Sequence, residues 1–115
     1  DILWYVNLLK EILSITPSQQ FLLFSDGSDE ELRELLALPN VRRAFYGNAY
    51  ADMYAISKCK WVIASDSTFS AWGAFMGERP ILFNKRHFKR VFRDRVPEAV
   101  LGDSTRIPDE FKTLL

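Results

Sequence analysis

Ser65, Ser67, Thr68 and Ser70 crowd into the junction between an apolar run, Trp61–Ala64, and a second apolar run that ends at Met76. Hydroxyl side chains at a helix start cap its free amides. Those amides and the positive dipole end also receive phosphate. If the first run is a buried strand, the cluster lies at its carboxyl end, where open α/β sheets bind ligands. The chemistry these residues suit is the grip of a nucleotide or nucleotide-sugar diphosphate by Ser67, Thr68 and Ser70. Plain helix capping is the competing reading. Asp52 stands 15 residues before Ser67, one helix-strand unit away, so both can face one cleft. It can equally be a helix-start acid complementing the dipole. Asp26 follows an earlier apolar run and can approach a ribose or base, although Asp26-Gly27 is also a common turn pair. Asp66 would repel a diphosphate and receives no contact.

The elements that must hold these residues are legible as alternating patterns. Ile2, Leu3, Val6, Leu9, Ile12 and Leu13 recur at helical spacing, and Pro17 ends that helix. Phe21–Phe24 reads as a strand buried on both faces. Ser28 with Glu31 is a capping-box pattern opening a helix to about Leu38. Val41–Tyr46 reads as a strand broken by Gly47-Asn48, and Ala51–Lys58 as a helix. Trp61–Ala64 is a strand, Thr68–Met76 a helix closed by Gly77, and Pro80–Asn84 a strand. Strands alternating with helices imply parallel pairing and right-handed crossovers. The expected fold is therefore a Rossmann-like parallel sheet with flanking helices, one α/β domain over residues 1–115. Beyond Asn84 the pattern weakens. Lys85, Arg86, Lys89, Arg90, Arg93 and Arg95 form a basic stretch interleaved with Phe88, Val91 and Phe92, and Pro108-Asp109 can open a short terminal helix.

Composition narrows the function classes. With 15 basic and 15 acidic side chains the chain has no net charge, which argues against broad nucleic-acid binding. The single cysteine, Cys59, rules out an internal disulfide and fits a reducing, cytoplasmic compartment. No apolar run reaches the ~18 residues of a membrane span. The basic stretch reads as a solvated face or as an amphipathic helix at an inner membrane surface. His87 is the only histidine, so no metal pair can form around it and no metal is expected. Phe69 and Trp72 share a helix face and are expected in the core. The first residues look like mid-domain helix, so the chain is read as a piece of a longer protein. Strands missing from it would leave a sheet edge that favours dimers.

The wording of the chain carries a resemblance. Phe24-Ser25-Asp26, Asp52-Met53, Cys59, Val62-Ile63-Ala64 and the run Ser67-Thr68-Phe69-Ser70-Ala71-Trp72-Gly73-Ala74 resemble the C-terminal part of family 11 glycosyltransferases. These are α-1,2-fucosyltransferase-like enzymes. The resemblance implies the donor-binding half of a GT-B enzyme, moving fucose from GDP-fucose to a galactoside-type hydroxyl of a glycan acceptor. It implies that Asp52 accepts hydrogen bonds from guanine, and that Ser67, Thr68 and Ser70 meet the diphosphate. The family's His-x-Arg-Arg-Gly-Asp signature is absent, so its phosphate-binding arginine, like the catalytic base, would come from a missing N-terminal half. Two other readings stay open: a GT-B transferase of another nucleotide sugar, and a non-catalytic α/β interaction module.

Overall fold

Each of the longer helices follows a strand or leads into one. The computed structural model describes residues 2–64, 68–85, 92 and 96–115, with only the backbone of residues 68 and 69. The order is α1 (Ile2–Ile15), β1 (Phe21–Leu23), α2 (Arg33–Leu36), β2 (Val41–Arg43), α3 (Ala49–Ser57), β3 (Val62–Ala64), α4 (Thr68–Gly77), β4 (Ile81–Phe83), β5 (Glu98–Val100) and α5 (Asp109–Lys112). The alternation expected from the sequence holds through β4. The α-carbon radius of gyration is 13.4 Å, in line with the ~13 Å of a compact chain of this length.

The strands pair in parallel, but in two sheets rather than one. β1 pairs with β2, Phe21 opposite Val41. β4 lies between β3 and β5, with Ile81 opposite both Val62 and Glu98. β4 is the best covered strand: Ile81, Leu82 and Phe83 are all fully buried. Leu82 faces the layer of α1, joined by Trp4, Leu8, Leu9 and Ile12 and by Ile107 and Phe111 of the C-terminal segment. Ile81 and Phe83 face the opposite layer, with Ile56 of α3, Ala71 and Ala74 of α4 and Phe92. A strand covered by helices on both faces must be apolar throughout, and Ile81-Leu82-Phe83 is.

Local chemistry explains the element ends. α1 stops before Pro17, which cannot continue the helical hydrogen bonding. Ser28 and Glu31 form the reciprocal box, Ser28 N–H to Glu31 Oε1 at 3.1 Å and Glu31 N–H to Ser28 Oγ at 3.2 Å. The Ser28 backbone bond, helped by its hydroxyl, holds the Glu31 carboxyl below the usual range. Regular helix here is shorter than the pattern predicts. Arg33 N–H bonds Glu30 O, three residues back, which interrupts the four-residue ladder before α2. β2 also ends early. Ala44 N–H makes the last bond to Leu23 O, and the chain then leaves the sheet with Phe45 75% exposed. No helix among the described residues is long and apolar enough to cross a membrane.

Candidate functional site

The helices return the chain from one strand's carboxyl end to the next strand's start, so those carboxyl ends share one side of the molecule. The loop after β1 is tightly held there. Ser25 Oγ accepts Gly27 N–H at 3.0 Å. Arg43, at the end of β2, donates from Nη2 to Ser25 O at 2.8 Å and from Nη1 to Asp29 Oδ1 at 2.9 Å. Asp26 is thereby presented, exposed, on the bend between Ser25 and Gly27. Arg43 drew no attention in the sequence, since its role depends on β1 and β2 pairing across 18 residues.

Asp52 lies in the first turn of α3, half-buried. Its Oδ1 accepts Tyr46 N–H at 2.7 Å, tying down the loop that leaves β2. The cap of α3 is Asn48, whose Oδ1 accepts Ala51 N–H at 2.9 Å. The sequence held that signal, an Asn just ahead of a helical run, but Gly47-Asn48 reads there only as a strand breaker. A carboxylate has about four acceptor positions, so the Tyr46 bond leaves Asp52 capacity for a ligand donor.

α4 begins at Thr68 and keeps Ser70 half-buried in its first turn. Ser67 lies outside the described residues, as do Ser65 and Asp66, and so does the Thr68 side chain. What the structure does define is the seating of α4 on α3. A Cβ on Gly73 would lie 2.7 Å from Ile56 Cγ2, and one on Gly77 would lie 2.0 Å from Ser57 O. Met53 and Ile56 thus flank Gly73, and Ser57 flanks Gly77. The two helices run in parallel, and their register sets the first turn of α3 beside the first turn of α4. Asp52 and Ser70 therefore belong to adjacent helix N-termini on the strand-end side. The glycines serve close contact between the two helices.

Other residues singled out in the sequence resolve differently. Trp72 is 57% exposed, not in the core, and makes an edge contact with Phe75. It is displaced because Gly73 and Gly77 turn the opposite face of α4 to α3. Cys59 Sγ donates to Ala55 O at 3.4 Å, and burial pushes its thiol pKa up against the lowering influence of Arg79. That suits a small packed side chain rather than a nucleophile. Lys85 is exposed. His87 and the basic positions 86–95 lie outside the described residues, whereas Phe92 among them is buried. No cluster of metal-ligating side chains occurs among the described residues.

Comparison with protein-family models, with curated proteins and with solved structures finds no match for this chain.

Proposed function

We propose that this α/β chain is the donor-binding part of a GT-B glycosyltransferase of the fucosyltransferase type. In this reading the intact enzyme moves fucose from GDP-fucose to a galactoside-type hydroxyl of a glycan. The observation that carries the reading is the run Ser67–Ala74, with its wording and its position. Its described residues, 68–74, open α4 at the carboxyl end of β3, beside the N-terminus of α3 with Asp52 in its first turn. Two adjacent helix N-termini bring together backbone N–H groups, of which Asn48 takes that of Ala51, and positive dipole ends. A diphosphate meets both needs. The departing nucleotide diphosphate of a sugar transfer carries the same charge, so donors that hold it ready also stabilise its release. The general base for the acceptor hydroxyl comes from the other half of the enzyme. Alone, the 115-residue chain is then a binder without turnover.

Asp52 sets base choice in this account, its carboxylate accepting from guanine N1–H and the 2-amino group. Asp52→Asn is the informative substitution. The amide oxygen still accepts Tyr46 N–H, so the loop stays tied, while an amide N–H₂ turned toward guanine meets donor with donor. Competition binding of GDP against UDP should show the GDP preference fall about tenfold or more, the scale of a mismatched polar contact. An unchanged preference in a folded variant would remove the guanine assignment. The transferase of another nucleotide sugar would then be the better reading.

A further inference from the structure

A cleft of about 870 Å³ separates the two sheets, with β1 on one wall and β3 on the other. The backbone pattern of these walls is specific. Phe21 N–H bonds Asn40 O, and Leu23 O accepts Ala44 N–H, so Phe21 and Leu23 spend their backbone groups on the β2 side. Successive strand residues alternate between sides, which turns Leu22 and Phe24 toward the cleft. On the other wall Val62 N–H bonds Pro80 O on the β4 side, which turns Trp61 and Ile63 toward the cleft. All four residues line it. No hydrogen bond joins β1 to β3 among the described residues. Two strand edges with their N–H and C=O groups facing each other across a gap are a template for pairing.

We infer that this cleft is the slot for one further β-strand, parallel to β1 and β3 and joined to the N-terminal end of α1. The occupant follows from the crossovers. α2 connects β1 to its neighbour β2, and α1 packs beside α2 in the same layer. Right-handed connections on one face step in one direction across a sheet. The strand that α1 would connect to β1 therefore lies on the side of β1 away from β2, which is the cleft. α4, on the opposite layer, steps the other way from β3 to β4. The completed order is β2-β1-inserted strand-β3-β4-β5, the doubly wound arrangement with its switch point beside the inserted strand. Its chemistry is also fixed. Leu9 and Ile12 of α1 cover one face of the slot, and Ile56 of α3 the other. A strand covered on both faces is a continuous apolar run, rich in Val and Ile. The inference is independent of the proposed function. It has a consequence for it: the carboxyl end of the inserted strand would emerge between Ser25 and the start of α4.

The test is amide hydrogen exchange at Leu22, Phe24, Trp61 and Ile63. The 115-residue chain is compared with a variant that carries Lys-Val-Ile-Val-Ile-Val joined to Asp1 through Gly-Ser-Gly-Ser. A control extension has proline in place of the second and fourth residues, which removes ladder donors. The four amides should exchange rapidly in the 115-residue chain. They should slow by about a hundredfold with the first extension, as in a formed ladder, and not with the proline form. Slow exchange in the chain without extension would mean that β1 and β3 pair directly, and would overturn the inference whether or not the extended variant folds. Rapid exchange in a folded extended variant would overturn it too. Protection that rises with protein concentration, together with a dimer in sedimentation, would give the slot to a second copy and refute the assignment to a strand ahead of α1.

Discussion

Polar side chains with defined partners do most of the positioning around the strand ends. Asp52 fastens Tyr46, Asn48 caps α3, and Arg43 clamps the β1 loop at Ser25 and Asp29. The Asn48 cap has a local signal, an Asn just ahead of a helical run, whereas the Arg43 clamp depends on β1 and β2 pairing across 18 residues and the Asp52 bond on how the loop after β2 folds back. The hydroxyl cluster, by contrast, is legible in the sequence, since its residue types and place after an apolar run carry the signal. Ser67→Ala with Thr68→Val should weaken GDP binding by roughly 1–3 kcal/mol, the loss of two hydrogen bonds to a charged phosphate. Calorimetric titration checks this, and unchanged affinity would return both residues to plain capping. Cys59 makes a separate prediction. Burial raises its thiol pKa in the fold, so the folded state keeps its proton at a pH where the unfolded chain has lost it. The stability this contributes is fully present below the unfolded thiol's pKa and is lost as pH rises through the raised folded value. Urea midpoints measured across the alkaline range should fall more steeply for the natural chain than for Cys59→Ala. Parallel curves would show that the thiol is not held by burial.

At the scale of elements, periodicity identifies α1, α3 and α4 and the strands that alternate with them. It misses β5, because Glu98-Ala99-Val100 is three residues long and has no apolar run of its own. Pairing with the buried β4 makes it a strand. It also misplaces Trp72, since apolar spacing on α4 does not tell which face meets α3. That choice belongs to Gly73 and Gly77. The two glycines differ in how deep the clash of an added methyl would be: at Gly73 it would meet Ile56 Cγ2 at 2.7 Å, Ile56 Cβ at 2.9 Å and Met53 O at 3.2 Å, but at Gly77 the backbone oxygen of Ser57 at 2.0 Å. Gly77→Ala should therefore destabilise the fold by about 2–3 kcal/mol, at the upper end of overpacking costs. Gly73→Ala should cost less, because its nearest contact is 2.7 Å rather than 2.0 Å and alanine favours helix by ~1 kcal/mol. Chemical denaturation of the two variants orders them. A Gly77→Ala protein as stable as the natural one would mean that α4 does not seat on α3 as described.

Across the whole molecule, two parallel sheets flanked by helices place the N-termini of α3 and α4 together at the strand ends. The sequence anticipates parallel α/β architecture from the alternation alone. It does not place the split between β1 and β3, because the residue types of Phe21–Phe24 and Trp61–Ala64 mark apolar strands without saying which strand each one pairs with. The proposed function requires the strand-end side of this molecule to hold a guanine nucleotide diphosphate at the starts of α3 and α4. An amide NMR titration of the 115-residue chain with GDP, UDP and ADP tests it most directly, since it registers binding as weak as millimolar. With GDP, shifts should concentrate at Asp52 and residues 65–70, and with UDP and ADP they should be weaker or absent. Equal shifts with all three would contradict the guanine assignment, and no shift at these residues at millimolar GDP would contradict the site itself.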